Sequence, residues 1–165
     1  MIGFLSKMFG GSKSEKDVRA ITPQVARINE NFQAYQSISN DELRNKTQEF
    51  RQRIKNHLKD IDQQLLETNQ RAEALLFDDL QGKDAVYQEV DELKKTRDKK
   101  IEEILEEILP EAFAVVKETA RRFKENTELV STATAMDRDL SVTRNHIKIQ
   151  GDQSVFSNTW TAAGG

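Results

Sequence analysis

The stretch Ile104 to Phe123, ILEEILPEAFAVVKETARRF, decides how the rest of the chain is read. It joins a charged helical pattern to an apolar one through Leu109-Pro110. Proline fixes its own φ, has no N–H to donate and pushes the preceding residue out of helical geometry. The sequence therefore predicts one helix ending near Leu109 and a second starting at Pro110. Ala112, Phe113, Val116, Ala120 and Phe123 recur at three- and four-residue spacing after the proline, which places them on one face. Ala114 and Val115 widen the apolar surface and predict burial on more than one side.

Upstream, Thr22-Pro23 reads as a helix start, a capping oxygen followed by proline. Val25, Ile28, Phe32 and Tyr35 follow on one face. Ser39 opens the best-signed helix. Ser39 and Glu42 match a capping box, and Ile38 and Leu43 the hydrophobic staple around it. Leu43, Thr47, Phe50, Ile54, Leu58, Ile61 and Leu65 then recur at steps of four, three, four, four, three and four. The pattern persists through Ala72 and Leu75 to Leu80, with Gly82 as its stop. From Lys83 a second seam, Val86, Val90, Leu93, Arg97, Ile101, Ile104 and Ile108, carries one charged intruder. Two long helices around a short turn predict an antiparallel, coiled-coil-like hairpin over about 40–108.

Composition narrows the function. The 165 residues are 36% hydrophobic and 32% charged, with a net charge of -3 and no cysteine. The acidic balance argues against a nucleic-acid partner. Absent thiols exclude disulfides and thiolate metal sites and fit a reducing compartment. No apolar run approaches the ~18–20 residues that span a bilayer. No secretory signal is expected at the N-terminus. Glu102, Glu103, Glu106, Glu107 and Glu111 form an acidic run, read as a solvated helix face, and His57 and His146 are isolated. Gly10 to Ser14 and Gly82-Lys83 lack phosphate-loop spacing.

At the N-terminus, MIGFLSKMF sets Ile2, Leu5 and Phe9 on one helical edge, flanked by Phe4 and Met8, with Lys7 nearby and no acid before Glu15. Such an edge can lie in an anionic lipid interface or dock on its own domain. The predicted membrane contacts are Ile2, Phe4, Leu5, Lys7, Met8 and Phe9. Beyond Asn126 polar residues dominate and helical periodicity stops. Ile147 and Ile149, then Gly151-Asp152, then Ser154 to Trp160 suggest a weak hairpin.

Two stretches carry a family resemblance. LPEAFAVVKETARR resembles the L-P-E-A-F-A-V-V-(K/R)-E segment of SecA, the ATP-driven motor of bacterial protein export. Ser39 to Ile54, SNDELRNKTQEFRQRI, resembles that family's L-S-(D/N)-(D/E)-E-L-x-x-K-T-x-E-F-(K/R)-x-R segment. Together they cover about thirty residues, in the family's order. The long link between about Asn56 and Lys100 departs from the shorter one of many relatives.

The expected fold is mainly α: long helices with the 40–108 hairpin, then a Pro-started helix and an irregular or weakly β C-terminal part, resembling the lead-in to a RecA-like motor lobe. The expected domains are an amphipathic arm and joint over 1–14, a helical region over 15–126 (helices near 23–37, 40–80, 84–109 and 110–125), and the start of an incomplete motor domain over 127–165. The resemblance implies the N-terminal portion of a translocase that moves preproteins through the SecY channel, ahead of its nucleotide motifs. Neither G-E-G-K-T nor a D-E-A-D-like segment occurs here, so no catalytic, cofactor-binding or metal residue is assigned and this chain is expected not to turn over ATP. ATP, magnesium and zinc belong to the intact parent. Expected partners are the SecYEG translocon, preproteins, acidic phospholipid and a second copy as a homodimer, at the cytoplasmic face of the inner membrane. Phe113, Val115, Val116 and Phe123 are expected to pack on the first nucleotide-binding lobe. The alternative function is a free-standing helical-hairpin adaptor.

Overall fold

The computed structural model describes residues 13–75 and 79–158. The elements are α1 (Lys13–Tyr35), α2 (Asn40–Ala74), α3 (Leu80–Glu125), β1 (Glu128–Thr132), α4 (Ala135–Thr143), β2 (Ile147–Gln150) and β3 (Gln153–Ser157). Among the described residues the fold is mainly α with one small sheet. The chain divides into two compact units, Met1–Arg44 with Pro110–Gly165, and Asn45–Leu109.

In the second unit α2 and α3 run antiparallel. Arg53 pairs with Glu107 at 2.7 Å, His57 faces Glu103 at 3.7 Å, and Asp62 pairs with Arg97 at 2.6 Å. Arg71 pairs with Glu89. Each step along α2 thus meets an earlier residue of α3. Leu58, Ile61 and Ala72 are buried with Val90, Ile104 and Ile108, as the seams predict; Thr68, outside the predicted seam, is buried with them, whereas the seam member Thr47 is exposed. The charged intruder Arg97 is half-buried and uses its guanidinium on Asp62. Glu107 of the acidic run serves the same cross-helix pairing.

Both proline readings need correction. α1, described over Lys13–Tyr35, carries Pro23 inside it. The Thr22 hydroxyl caps nothing; it donates to the Val18 carbonyl at 2.7 Å, one turn back. The expected break at Leu109-Pro110 is also absent, and α3 is one helix through Pro110. An interior proline costs roughly 3 kcal/mol, but here its ring is fully buried, with Ile104 and Ile108 buried before it and Ala114 and Glu118 after it. Packing on both sides of the defect outweighs the lost hydrogen bond. Gly82 does not end α2, which stops at Ala74. It lies in the first turn of α3, where its N–H donates to the Asp79 carboxylate at 2.9 Å.

In the first unit Tyr35, Leu43 and Ala114 form a core with Ile28, Phe32, Ile38 and Val115 packed against it. The expected capping box is present. The Glu42 N–H donates to the Ser39 hydroxyl at 3.2 Å, and the Ser39 N–H to the Glu42 carboxylate at 2.7 Å.

The C-terminal part is more ordered than its composition suggests. The sheet is antiparallel in the order β1-β3-β2. β2 and β3 turn through Gly151-Asp152, where Gly151 has φ 61, a left-handed conformation that glycine adopts without strain. α4 was unexpected. Thr134-x-x-Asp137 begins it with a reciprocal capping box, and α4 packs against β2. Trp160 lies outside the described residues.

Candidate docking surface

The second half of α3 has two opposed faces. Pro110, Ala114, Glu118 and Arg122 recur every four residues and are all buried. Phe113, Val116 and Phe123 point the other way and are 56%, 68% and 37% exposed. Ala120, between them, is exposed too. The polarity is inverted: charges lie inside and aromatic and branched side chains outside.

The buried charges are fully engaged. The Glu118 side chain accepts from Arg122 Nε at 2.8 Å and from Arg121 at 2.7 and 2.8 Å. The Arg121 guanidinium, and behind it Arg122, holds the Glu118 carboxyl below its ordinary range against the opposing effect of burial. Arg122 then donates to the Tyr35 carbonyl at 2.9 Å, the Ile38 carbonyl at 2.7 Å and the Asn40 side-chain oxygen at 2.7 Å. Tyr35 is the last residue of α1. A cation therefore sits where that helix leaves carbonyls unbonded and its dipole is negative.

The first turn of α2 passes the same order on to the sheet. Asn40 donates to the Val130 carbonyl at 2.8 Å. The Asp41 carboxylate accepts from the Thr132 N–H and hydroxyl, both at 2.8 Å. These contacts occupy backbone groups of β1, an edge strand that would otherwise offer them for pairing. Arg44 forks onto Asp137 at 2.5 and 2.8 Å and also reaches Ser131, Thr132 and Thr134 at 3.3 Å. Asp137 is 2% exposed. The Arg44 hydrogen bonds and the Thr134 N–H and hydroxyl hold its carboxyl far below the usual carboxylate range, despite burial. The Ser131 and Ser154 hydroxyls, 3.0 Å apart, complete this buried polar cluster.

Of the four residues expected to pack on a further lobe, Phe113, Val116 and Phe123 share the outward face. Val115 is half-buried and packs against the internal core. Ile2, Phe4, Leu5, Lys7, Met8 and Phe9 lie outside the described residues. Sequence reasoning missed Asn40, Arg44, Asp137 and Arg122 as a connected set. The legible signal was the Thr134-x-x-Asp137 spacing. Among the described residues no three His, Asp or Glu side chains group so as to hold a metal ion, and no helix is long and apolar enough to cross a membrane.

Comparison with known proteins adds a second line of observation. Residues 5–136 match the family model described as SecA DEAD-like domain. A protein translocase subunit SecA from Flavobacterium psychrophilum is 44% identical over 99% of this chain and 14% of its own length. Proteins of the same name from Amoebophilus asiaticus and Cytophaga hutchinsonii are each 40% identical over 99% of this chain and 15% of theirs. The chain thus spans about one seventh of the curated relatives it matches. No solved structure matches it.

Proposed function

The chain belongs to the SecA DEAD-like family, and on that premise we propose that it acts as the N-terminal helical brace of an ATP-hydrolysing protein translocase. The parent moves preproteins through the SecYEG channel from the cytoplasmic face of the inner membrane, using ATP and magnesium, with zinc elsewhere in the intact protein. The brace contributes packing for the first nucleotide-binding lobe through Phe113, Val116 and Phe123, with Val115 supporting that face from within. The arm with Ile2, Phe4, Leu5, Lys7, Met8 and Phe9 approaches acidic phospholipid.

The observation that carries this reading is the inverted polarity of α3. A helix that buries Glu118 and Arg122 while leaving Phe113 and Val116 more than half exposed is shaped to receive an apolar partner. Contiguous exposed apolar surface of this kind marks an interaction site. Coverage of almost the whole chain by relatives named translocase subunits favours this partner over that of a free-standing adaptor.

The test places Phe113→Asp with Val116→Asp in the full-length translocase. Loss of at least tenfold in ATP turnover and preprotein transport, with the brace still folded, is expected. Unchanged turnover overturns the lobe-packing role. The 165-residue chain alone is expected to hydrolyse no ATP above a mock-purified control, because phosphoryl transfer needs a lysine, Mg²⁺ and backbone N–H groups as one set.

A further inference from the structure

The two edges of the α2–α3 hairpin differ. Arg53, His57 and Arg71 line one edge of α2 and face Glu107, Glu103 and Glu89 of α3. Leu66, Leu80, Tyr87 and Leu105 are 52%, 71%, 52% and 45% exposed, and helical spacing sets all four on the opposite edge. Among the described residues these are the large apolar side chains that the hairpin leaves exposed.

The second edge is symmetric along its length. On α2, Lys55, Asp62, Leu66 and Glu73 follow one another at steps of seven, four and seven. On α3, Tyr87, Lys94, Asp98 and Leu105 repeat those steps. The first row is centred on position 64 and the second on position 96. Each row spans eighteen residues, which is five full turns, so its two ends share one direction. The ion pairs of the first edge fix the register of the helices, and that register sets position 64 level with position 96. Both rows are therefore centred at one level of the hairpin. Among the described residues the side chains of Lys55, Glu73 and Asp98 make no hydrogen bond or ion pair.

We propose that this edge is the contact surface for a second copy of the chain, related to the first by a two-fold axis that crosses the hairpin at that level. The axis lies in the interface, perpendicular to the helices. It lays α2 on α2 and α3 on α3, each pair antiparallel. Lys55 then meets Glu73 of the second copy, Lys94 meets its Asp98, and Tyr87 meets its Leu105. Each contact is made twice, as a closed two-fold interface requires. Leu66 stands two positions from the centre, so its two copies pack across the axis. Arg97, also near the centre, is neutralised within its own chain by Asp62 at 2.6 Å, so the two copies approach as ion pairs and not as bare cations. From position 45 to Ala74, α2 runs ~45 Å. A surface two helices wide and that long offers up to ~900 Å² per copy, against the ~800 Å² that each partner gives to a standard stable interface. The shared centre of the two rows, with opposite charges at matching distances from it, is what commits the surface to a second copy over an unrelated helix.

Charge exchange tests the register. Lys55 and Glu73 are ~27 Å apart along one helix, so a rescue between them passes from copy to copy. Both are exposed, and circular dichroism checks that the variants stay helical. Sedimentation equilibrium of the 165-residue chain is expected to show a monomer–dimer equilibrium. Lys55→Glu or Glu73→Lys alone is expected to weaken the dimer at least tenfold, because each sets like charges together at two places. The two changes combined are expected to restore it to within threefold of the parent. The chain has no cysteine of its own. Tyr87→Cys mixed with Leu105→Cys is therefore expected to form a disulfide-linked dimer at least tenfold faster than either variant by itself. A parent that sediments as a monomer at about 100 µM overturns the proposal. So does a combined variant no tighter than the single ones, or cross-linking at equal rates. A dimer indifferent to both charges assigns association to the outward face of α3 and overturns it as well.

Discussion

Arg122 donates to the side-chain oxygen of Asn40 at 2.7 Å, and this one bond joins the two stretches of sequence that carry the family resemblance. Asn40 lies in SNDELRNKTQEFRQRI and Arg122 closes LPEAFAVVKETARR. The same Arg122 holds the end of α1 through the Tyr35 and Ile38 carbonyls, and the same Asn40 holds β1 through Val130. Three helices and the sheet therefore share one polar junction.

Arg122→Ala is expected to destabilise the chain by about 3–5 kcal/mol, the range for removing one partner of a buried ion pair. Arg122→Lys should recover little, because one ammonium cannot reproduce the guanidinium's reach to Tyr35, Ile38 and Asn40. Urea unfolding followed by circular dichroism measures both. A lysine variant within about 0.5 kcal/mol of the parent, the spread of ordinary surface substitutions, would disprove the multipoint role.

Arg44→Ala leaves Asp137 buried without its cation. Arg44 keeps 38% of its side chain exposed, so water replaces part of the loss. The expected cost is about 2–3 kcal/mol, below the range for fully buried pairs. Arg44→Ala combined with Asp137→Asn should cost less than the sum of the two single changes. Strict additivity in that double-mutant cycle counts against the pair.

Acid should weaken the junction. Asp137 and Glu118 both have folded-state carboxyls held below their ordinary range. For a depressed pKa the stabilisation is complete above the unfolded-state values, about 3.9 for Asp and 4.3 for Glu. It is lost as pH falls toward the folded-state values. The unfolding midpoint in urea should therefore be flat from pH 7 to about 5 on this account and decline below about pH 4.5. Asp137→Asn is expected to lower the plateau and flatten the decline. An unaltered acid slope in that variant contradicts the assignment.

The outward face of α3 should behave as surface. Phe113→Ser with Val116→Ser is expected to change stability by no more than about 1 kcal/mol, since each site is mostly exposed, while reducing self-association measured by light scattering. Strong destabilisation would show that these side chains support the isolated fold itself.

Much of the helical layout was legible in advance because it is local. The Ser39–Glu42 box, the seam from Leu43 to Leu65 (all but the exposed Thr47) and the turn at Gly151-Asp152 each depend on residues a few positions apart, and each is present. The prolines misled because local propensity was the whole argument there. Pro110 has a strong intrinsic preference to end a helix, yet it stands inside one with its ring buried. α4 was hidden by a polar composition whose Thr134 and Asp137 serve as caps and Arg44 partners. β1 depends on hydrogen bonds to β3 and to the start of α2, which no short window contains.

The sequence by itself determined that long amphipathic helices would form and pair, because periodic burial and capping act through neighbours three and four residues apart. Which side of α3 faces inward was decided only by tertiary structure. Apolar spacing alone would have buried Phe113 and Val116, but the unbonded carbonyls at the end of α1 and the side chain of Asn40 require a cation, and Arg122 with Glu118 turns the polar edge inward to meet them.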